Sequence, residues 1–241
     1  SSKQIEQFNK DGYIIFPGLF TSDEIEIFKN EVDRVSKIRS EMVVREGEDE
    51  AVKIMFQLHE ENVETASPPF RTAARSPRIL RTAQQCLGDE ELYLHHSKLN
   101  MKSAIEGSAW PWHQDFHSWH LDGIKQPDMV TVTVVLTEAS PINGCMYVLP
   151  GSHKQGRSDP RWDDSTAYKL WVAKTPDMKE YMKKFPAPVP ITGGAGTTAI
   201  FHCNLLHASG HNLSSEDRWQ IFFCFNTVSY THLRAHETSL H

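Results

Sequence analysis

The feature that most limits what this chain can become is a change of hydrophobic period at Leu92. Before it, apolar residues recur at helical spacing. After it, they fall in short runs or alternate every second residue, which is the spacing of strands. Candidate strands are Leu92–Met101, Trp110–His113, Met129–Leu136, Met146–Pro150, Gly196–His202 and Trp219–Val228. Turn residues divide them: Glu106-Gly107, Asn143-Gly144, Pro150-Gly151-Ser152 and Gly193-Gly194. Segments of this kind behind a helical opening predict a mainly β protein with flanking helices, a sandwich or jelly roll.

The opening is read residue by residue. Ser2–Asn9 places Ile5 and Phe8 at helical spacing, and Asp11-Gly12 breaks it. Tyr13–Phe16 reads as a buried strand closed by Pro17-Gly18. Thr21 and Glu24 stand at capping-box spacing, where each side chain satisfies the other's backbone N–H. Ile25, Phe28, Val32 and Val35 then form one stripe, so a helix is expected to about Ile38. Arg45–Glu50 reads as a loop and Val52–Leu58 as a strand. Ser76-Pro77 reads as the start of a helix ending near Leu87-Gly88. Arg157–Phe185, with Trp162, Tyr168 and Trp171 among many charges, fits an insertion over a site and a surface loop equally well. No repeat or linker interrupts the chain, so one domain over residues 1–229 is expected. Tyr230–His241 reads as a disordered or non-native tail.

Composition narrows the function. With 25 basic against 31 acidic residues the net charge is −6, which argues against a general nucleic-acid binder. No apolar run approaches the roughly 20 residues that span a bilayer, and Ser1–Lys10 has no signal-peptide character. Cys86, Cys145, Cys203 and Cys224 are scattered, which suits free thiols in a reducing compartment rather than a thiolate zinc site. The expectation is a cytoplasmic monomer or homodimer whose partner is a small-molecule substrate, not nucleic acid or a membrane.

Chemistry concentrates in two places. In Trp112-His113-Gln114-Asp115-Phe116, His113 and Asp115 are two apart. On an extended strand such residues share a face and can grip one metal. Imidazole with carboxylate suits iron(II), manganese or zinc. Two histidines and one carboxylate on one face leave three positions open, as in non-haem iron oxygenases. Alone, the pair reads equally well as a surface hydrogen bond. The second place is Phe201–Asn212, which contains His207 and is followed by Arg218 at the head of an apolar run. A strand, a turn and a return strand bring Arg218 near His207. Its guanidinium matches the far carboxylate of a dicarboxylate that chelates metal through a 2-oxo acid. Alone, Arg218 reads as an ion pair with Glu216 or Asp217. His117, four residues after His113, offers a helical zinc pair, but no His-Glu-x-x-His accompanies it.

Trp112-His113-Gln114-Asp115, Asn143-Gly144, Pro150-Gly151-Ser152-His153 and His207-x-Ser209-x-x-Asn212 with Arg218 together resemble the phytanoyl-CoA dioxygenase family, in particular its ectoine-hydroxylase-like branch. The run Trp112–His120 and Asp11-Gly12-Tyr13 add to the likeness, which extends from Ile5 to Val228. The resemblance implies a double-stranded β-helix (jelly-roll, cupin-like) core, with iron(II), 2-oxoglutarate and O2. It implies that His113, Asp115 and His207 are the ligands and that Arg218 holds the distal carboxylate. It further implies that Asn100, Thr131, Trp110 and Ser209 touch the co-substrate. His96 departs from a substrate-contacting glutamine of that branch, and Gln220 from an asparagine. Substrate contacts are expected from His96, His117, Trp119, Gln220 and Trp171. The outcome implied is hydroxylation of an unactivated C–H bond in a small polar, amino-acid-like or zwitterionic molecule. A metal-dependent cupin-like hydrolase or isomerase, and a catalytically silent binding relative, stay as alternatives.

Overall fold

In the computed structural model the described residues are 1–228, so the expectation for Tyr230–His241 lies outside them. The N-terminal part forms helices α1 (Ser2–Asp11), α2 (Ser22–Val35), α3 (Pro68–Arg75) and α4 (Pro77–Leu87), with strand β1 (Tyr13–Phe16) and the hairpin β2 (Val43–Glu46) and β3 (Ala51–Phe56). The capping box forms as expected: Thr21 N donates to Glu24 Oε2 at 2.9 Å, and Glu24 N to Thr21 Oγ1 at 3.3 Å. Helix α2 stops at Val35 rather than Ile38. Arg45 and Glu46, expected in a loop, pair as strand residues with Val52 and Ala51, after a register shift between Val44 and Arg45.

The rest supplies β4 (Leu92–Lys102), β5 (Trp110–His113), the short helix α5 (Asp115–Leu121), β6 (Met129–Val135), β7 (Met146–Val148), β8 (Pro160–Asp163), β9 (Leu170–Ala173), α6 (Thr175–Lys184), β10 (Val189–Ile191), β11 (Thr198–His202), β12 (His207–Ser209) and β13 (Arg218–Thr227). Seven strands form one sheet in the order β1-β11-β6-β13-β4-β3-β2, and four form a second, β10-β7-β12-β5. The neighbours pair antiparallel throughout, and the architecture is the double-stranded β-helix. The segment 157–185 is a β8–β9 hairpin followed by α6.

Alternation decides the layers. Along β13, Ile221, Phe223 and Phe225 join Val130, Val132 and Val134 of β6 and the stripe Ile25, Phe28, Val32 and Val35 of α2 in the largest apolar cluster. The helices therefore cover one face of the large sheet. The opposite face meets the small sheet through Phe222, Phe201, Ala199, Met146 and Val148. On that inner face, β13 presents Arg218, Gln220, Phe222 and Cys224, and β4 presents Lys102, Asn100, Lys98 and His96 opposite them. The register then slips: Cys224 faces His96 but Phe225 faces Leu94, so His95 is an extra residue in a β-bulge.

Candidate metal centre and its two clefts

Strand β12 puts His207 directly opposite His113 of β5, with ring centroids 4.1 Å apart. Asp115 does not lie on that strand. The strand ends at His113, the chain turns at Gln114, and Asp115 is the first residue of α5. The shared-face argument from spacing is thus corrected: a strand end and a helix start supply the pair. Gln114, 1% exposed, fixes that corner by donating to Gly156 O at 2.8 Å and Asn204 O at 2.7 Å.

The three side chains are buried, and one ligand atom of each lies within 4.8 Å of the others. Each histidine pairs Nδ1 with the carbonyl two residues upstream: His113 with Pro111 at 2.7 Å, His207 with Leu205 at 3.0 Å. Nδ1 is then the protonated nitrogen, and Nε2 is left as the ligand atom. Burial pushes both imidazoles below their usual range, so they are neutral and ready to bind. Burial alone raises the Asp115 carboxyl, but His207, Lys98, His113 and the Thr131 hydroxyl outweigh it, and the net shift is downward. Thr131 Oγ1 donates to Asp115 Oδ2 at 2.9 Å. This donor set, with two imidazoles and one carboxylate on one side, fits a divalent transition metal with open positions.

Two clefts meet at this centre, and Lys98, Trp110, His113 and Asp115 line both. The narrower, about 380 Å³ including space open to solvent, is also lined by Asn100, Ser209, Arg218 and Gln220. Arg218 is 2% exposed, and among the described residues no carboxylate pairs with it. Burial pushes its guanidinium down to about 10, so it remains a cation at neutral pH. One of its amino groups donates to Gln220 Oε1, while its Nε is buried without a partner. Asn100 Oδ1, Gln220 Nε2 and Trp110 Nε1 are likewise buried and unpaired. A buried, unpaired cation costs several kcal/mol, so this cluster fits a small dianion that pairs it.

The wider cleft, about 620 Å³ including space open to solvent, is lined by His95, His96, Ser118, Trp119, Asp122, Tyr168 and Leu170. His96 packs against Phe56 with the ring centroids 5.7 Å apart and the planes tilted by 43°, and it is held neutral by burial. Trp119 meets His95 edge-on at 5.5 Å.

Several expected residues sit elsewhere. His117 lines neither cleft: it is fully buried, its Nε2 is 2.8 Å from Ser158 Oγ, and it braces the start of α5. Trp171 also lines neither. Leu170 and Val172 point inward, so strand alternation turns Trp171 outward against Trp162 at 5.2 Å. Gln220, expected beside the substrate, lies in the narrow cleft, and Thr131 lines neither cleft but holds Asp115. Lys98 and Tyr168 were missed. Lys98 was within reach, because it sits midway between His96 and Asn100 on one face of β4.

A family model described as phytanoyl-CoA dioxygenase matches residues 8–219. The ectoine dioxygenase of Bordetella bronchiseptica is 30% identical over 96% of this chain and 77% of its own length, and that of Nocardia farcinica is 30% identical over 95% and 79%. The crystal structure of EctD from S. alaskensis with 2-oxoglutarate and 5-hydroxyectoine superposes with a TM-score of 0.82 at 30% identity, over 95% of this chain and 77% of that one. The same protein with bound Fe gives 0.81 at 29% identity, over 95% and 78%. The nogalamycin epimerase SnoN, at 20% identity and a TM-score of 0.74 over 99% of this chain and 88% of that one, shares the fold.

Proposed function

This chain belongs to the phytanoyl-CoA dioxygenase family, and on that premise we propose that His113, Asp115 and His207 hold iron(II) while Arg218 seats the distal carboxylate of 2-oxoglutarate. The protein is a 2-oxoglutarate-dependent non-haem iron dioxygenase. One observation carries the residue assignment: a buried arginine without a counter-ion faces a cleft that shares its walls with an imidazole–carboxylate triad. Among the described residues nothing else neutralises that charge, whereas a dicarboxylate does so with paired hydrogen bonds.

Bound iron and 2-oxoglutarate supply the oxidising power, and the protein's work is orientation and exclusion of water. Asn100, Ser209, Gln220 and Trp110 complete the co-substrate seat. Thr131 acts on Asp115 instead, keeping it ionised and oriented. The wider cleft takes the substrate. Trp119, Tyr168 and Trp110 give it apolar walls, and Lys98, His95 and His96 give it polar contacts. That combination suits a small molecule with an anionic end, such as an amino acid or a cyclic zwitterion of the kind bound by EctD. Asp115 would give the metal the carboxylate that halogenation replaces with a halide, which favours hydroxylation. The four cysteines are free thiols. With that we place the enzyme in the cytoplasm, as one domain over residues 1–229 in a monomer or homodimer. No helix among the described residues is long and apolar enough to cross a membrane.

The test is anaerobic loading with iron(II), followed by oxygen, 2-oxoglutarate and a panel of ectoine, proline and related zwitterions. Succinate formed in step with a 16-dalton gain on one panel member is the expected result. Folded, iron-loaded protein that forms no succinate with any of them defeats the reading. Metal-dependent turnover that needs no 2-oxoglutarate returns the hydrolase or isomerase alternative.

A further inference from the structure

Trp110 carries more constraint than an apolar wall needs. It is 6% exposed, lines both clefts, and buries its indole N–H without an acceptor. Two ammonium groups lie over its ring: Lys53 Nζ at 5.2 Å from the centroid and Lys98 Nζ at 5.6 Å. A cation held over an indole draws density from the ring and strengthens its N–H as a donor. Lys98 belongs to the clefts, but Lys53 lines neither.

Lys53 sits on β3, 1% exposed, where a lone ammonium is strongly disfavoured. It is held there by Glu46 of β2, whose Oε2 accepts from Nζ at 2.7 Å. Both side chains grip Ser108, two residues before Trp110. Lys53 donates to the Ser108 hydroxyl, and Glu46 accepts from Ser108 N at 3.1 Å and from its hydroxyl at 2.5 Å. Lys102 Nζ holds the Ser108 carbonyl at 2.5 Å. Side chains from three neighbouring strands therefore fix the segment that leads into β5, and one of them also contacts the ring.

We propose that the Trp110 indole N–H donates a hydrogen bond to bound 2-oxoglutarate, and that the buried Lys53–Glu46 pair is a positioning device that sets the ring for it. This rests on the co-substrate seat proposed above and adds a contact that an apolar wall cannot make. The acceptor is a carboxylate or 2-oxo oxygen, and the bond replaces the unmet hydrogen-bonding capacity of a buried donor.

The test is the dissociation constant of 2-oxoglutarate, read by titration calorimetry on oxygen-free iron(II)-loaded protein, with metal content and melting temperature measured alongside. Trp110→Phe keeps the wall and removes the donor, and binding should weaken about tenfold. Lys53→Met strands Glu46 and risks misfolding, so the double variant Lys53→Met/Glu46→Gln removes both charges. It should weaken binding by about threefold or more, and Lys53→Arg should restore it. Trp110→Phe with wild-type affinity overturns the donor. A double variant with a lowered melting temperature but wild-type affinity overturns the positioning role and leaves the pair structural. Wild-type protein that binds iron but not 2-oxoglutarate defeats the function proposed above, and this inference with it.

Discussion

The two clefts share four residues and differ in how far their chemistry is settled in advance. The narrow one holds a cation that burial has stripped of water, together with unpaired buried atoms on Asn100, Gln220 and Trp110. It is complementary to one kind of guest and poorly satisfied without it. The wide one is lined by imidazoles held neutral by burial, the lysine Lys98 and three aromatic rings. Of its lining atoms, His95 Nδ1 and the shared Trp110 indole N–H are buried and unpaired, and no unpaired buried arginine commits it to one guest. A reaction whose co-substrate is fixed and whose substrate varies needs this asymmetry.

The sharpest way to break the comparison is at the shared centre. His113→Ala and His207→Ala should each abolish turnover and leave the purified protein without stoichiometric iron, read by elemental analysis. Retained iron with retained succinate formation would place the metal elsewhere. Next is Arg218→Met. Removing a buried charge that a ligand pairs costs about 2–5 kcal/mol of binding, so 2-oxoglutarate affinity should fall by roughly 30-fold to a few thousandfold. The same change removes an unpaired buried cation from the ligand-free fold. Its melting temperature should therefore rise, by about 2–4 °C for each ~1 kcal/mol gained in a chain of this size. A variant that loses both affinity and stability would mean that Arg218 has a structural counter-ion.

Thr131→Val, which removes the donor to Asp115, should weaken iron binding by about 10- to 100-fold without touching either guest directly. A shift in 2-oxoglutarate affinity larger than the shift in iron affinity would put Thr131 back in the co-substrate seat. Acid should act next on the wide side. Burial pushes His95 down to about 4 from 6.5, and His59 opposes charge on it as well. Between those values the unfolded chain binds protons that the folded one refuses. Stability should therefore be level above pH 6.5 and fall as the pH drops towards 4. Calorimetric melting that is flat across that window contradicts neutral imidazoles at this wall. The smallest effect is Trp171→Ala. The side chain packs on Trp162 away from both clefts, so turnover should be unchanged and stability lowered by about 1 kcal/mol.

Much of the large sheet was legible because its strands carry their own signal. On β13 the residues towards the helices, Trp219, Ile221, Phe223 and Phe225, are all apolar, and on β4 the residues towards the centre, His96, Lys98, Asn100 and Lys102, are all polar. The sequence motifs named His113 and His207, and the fold brings the two rings together with Asp115. What stayed hidden depended on geometry that sequence pattern does not encode. Asp115 was read as a strand residue because a helix of only seven residues has no apolar stripe to announce it. Trp171 was preferred over its neighbours because Leu170-Trp171-Val172 is apolar throughout, and such a run does not say which face is inward. His117 looked like a site residue by chemistry alone, and only its contact with Ser158, 41 residues away, shows it bracing the fold. Lys98 was missed although its period was in plain view, since a lysine on an inward face runs against the usual placement of charge.

The extra residue at His95 divides β4 into two registers. Beyond the bulge towards Lys102, each residue of β4 keeps its partner on β13, ending with Arg218 opposite Lys102. Before it, Leu94, Tyr93 and Leu92 pair one step out of phase. The slip acts as a mechanical fuse. Insertions or losses at the outer end of the strand are absorbed there and do not reach the guanidinium. A residue gained or lost there would move Leu92–Leu94 and leave Arg218 opposite Lys102.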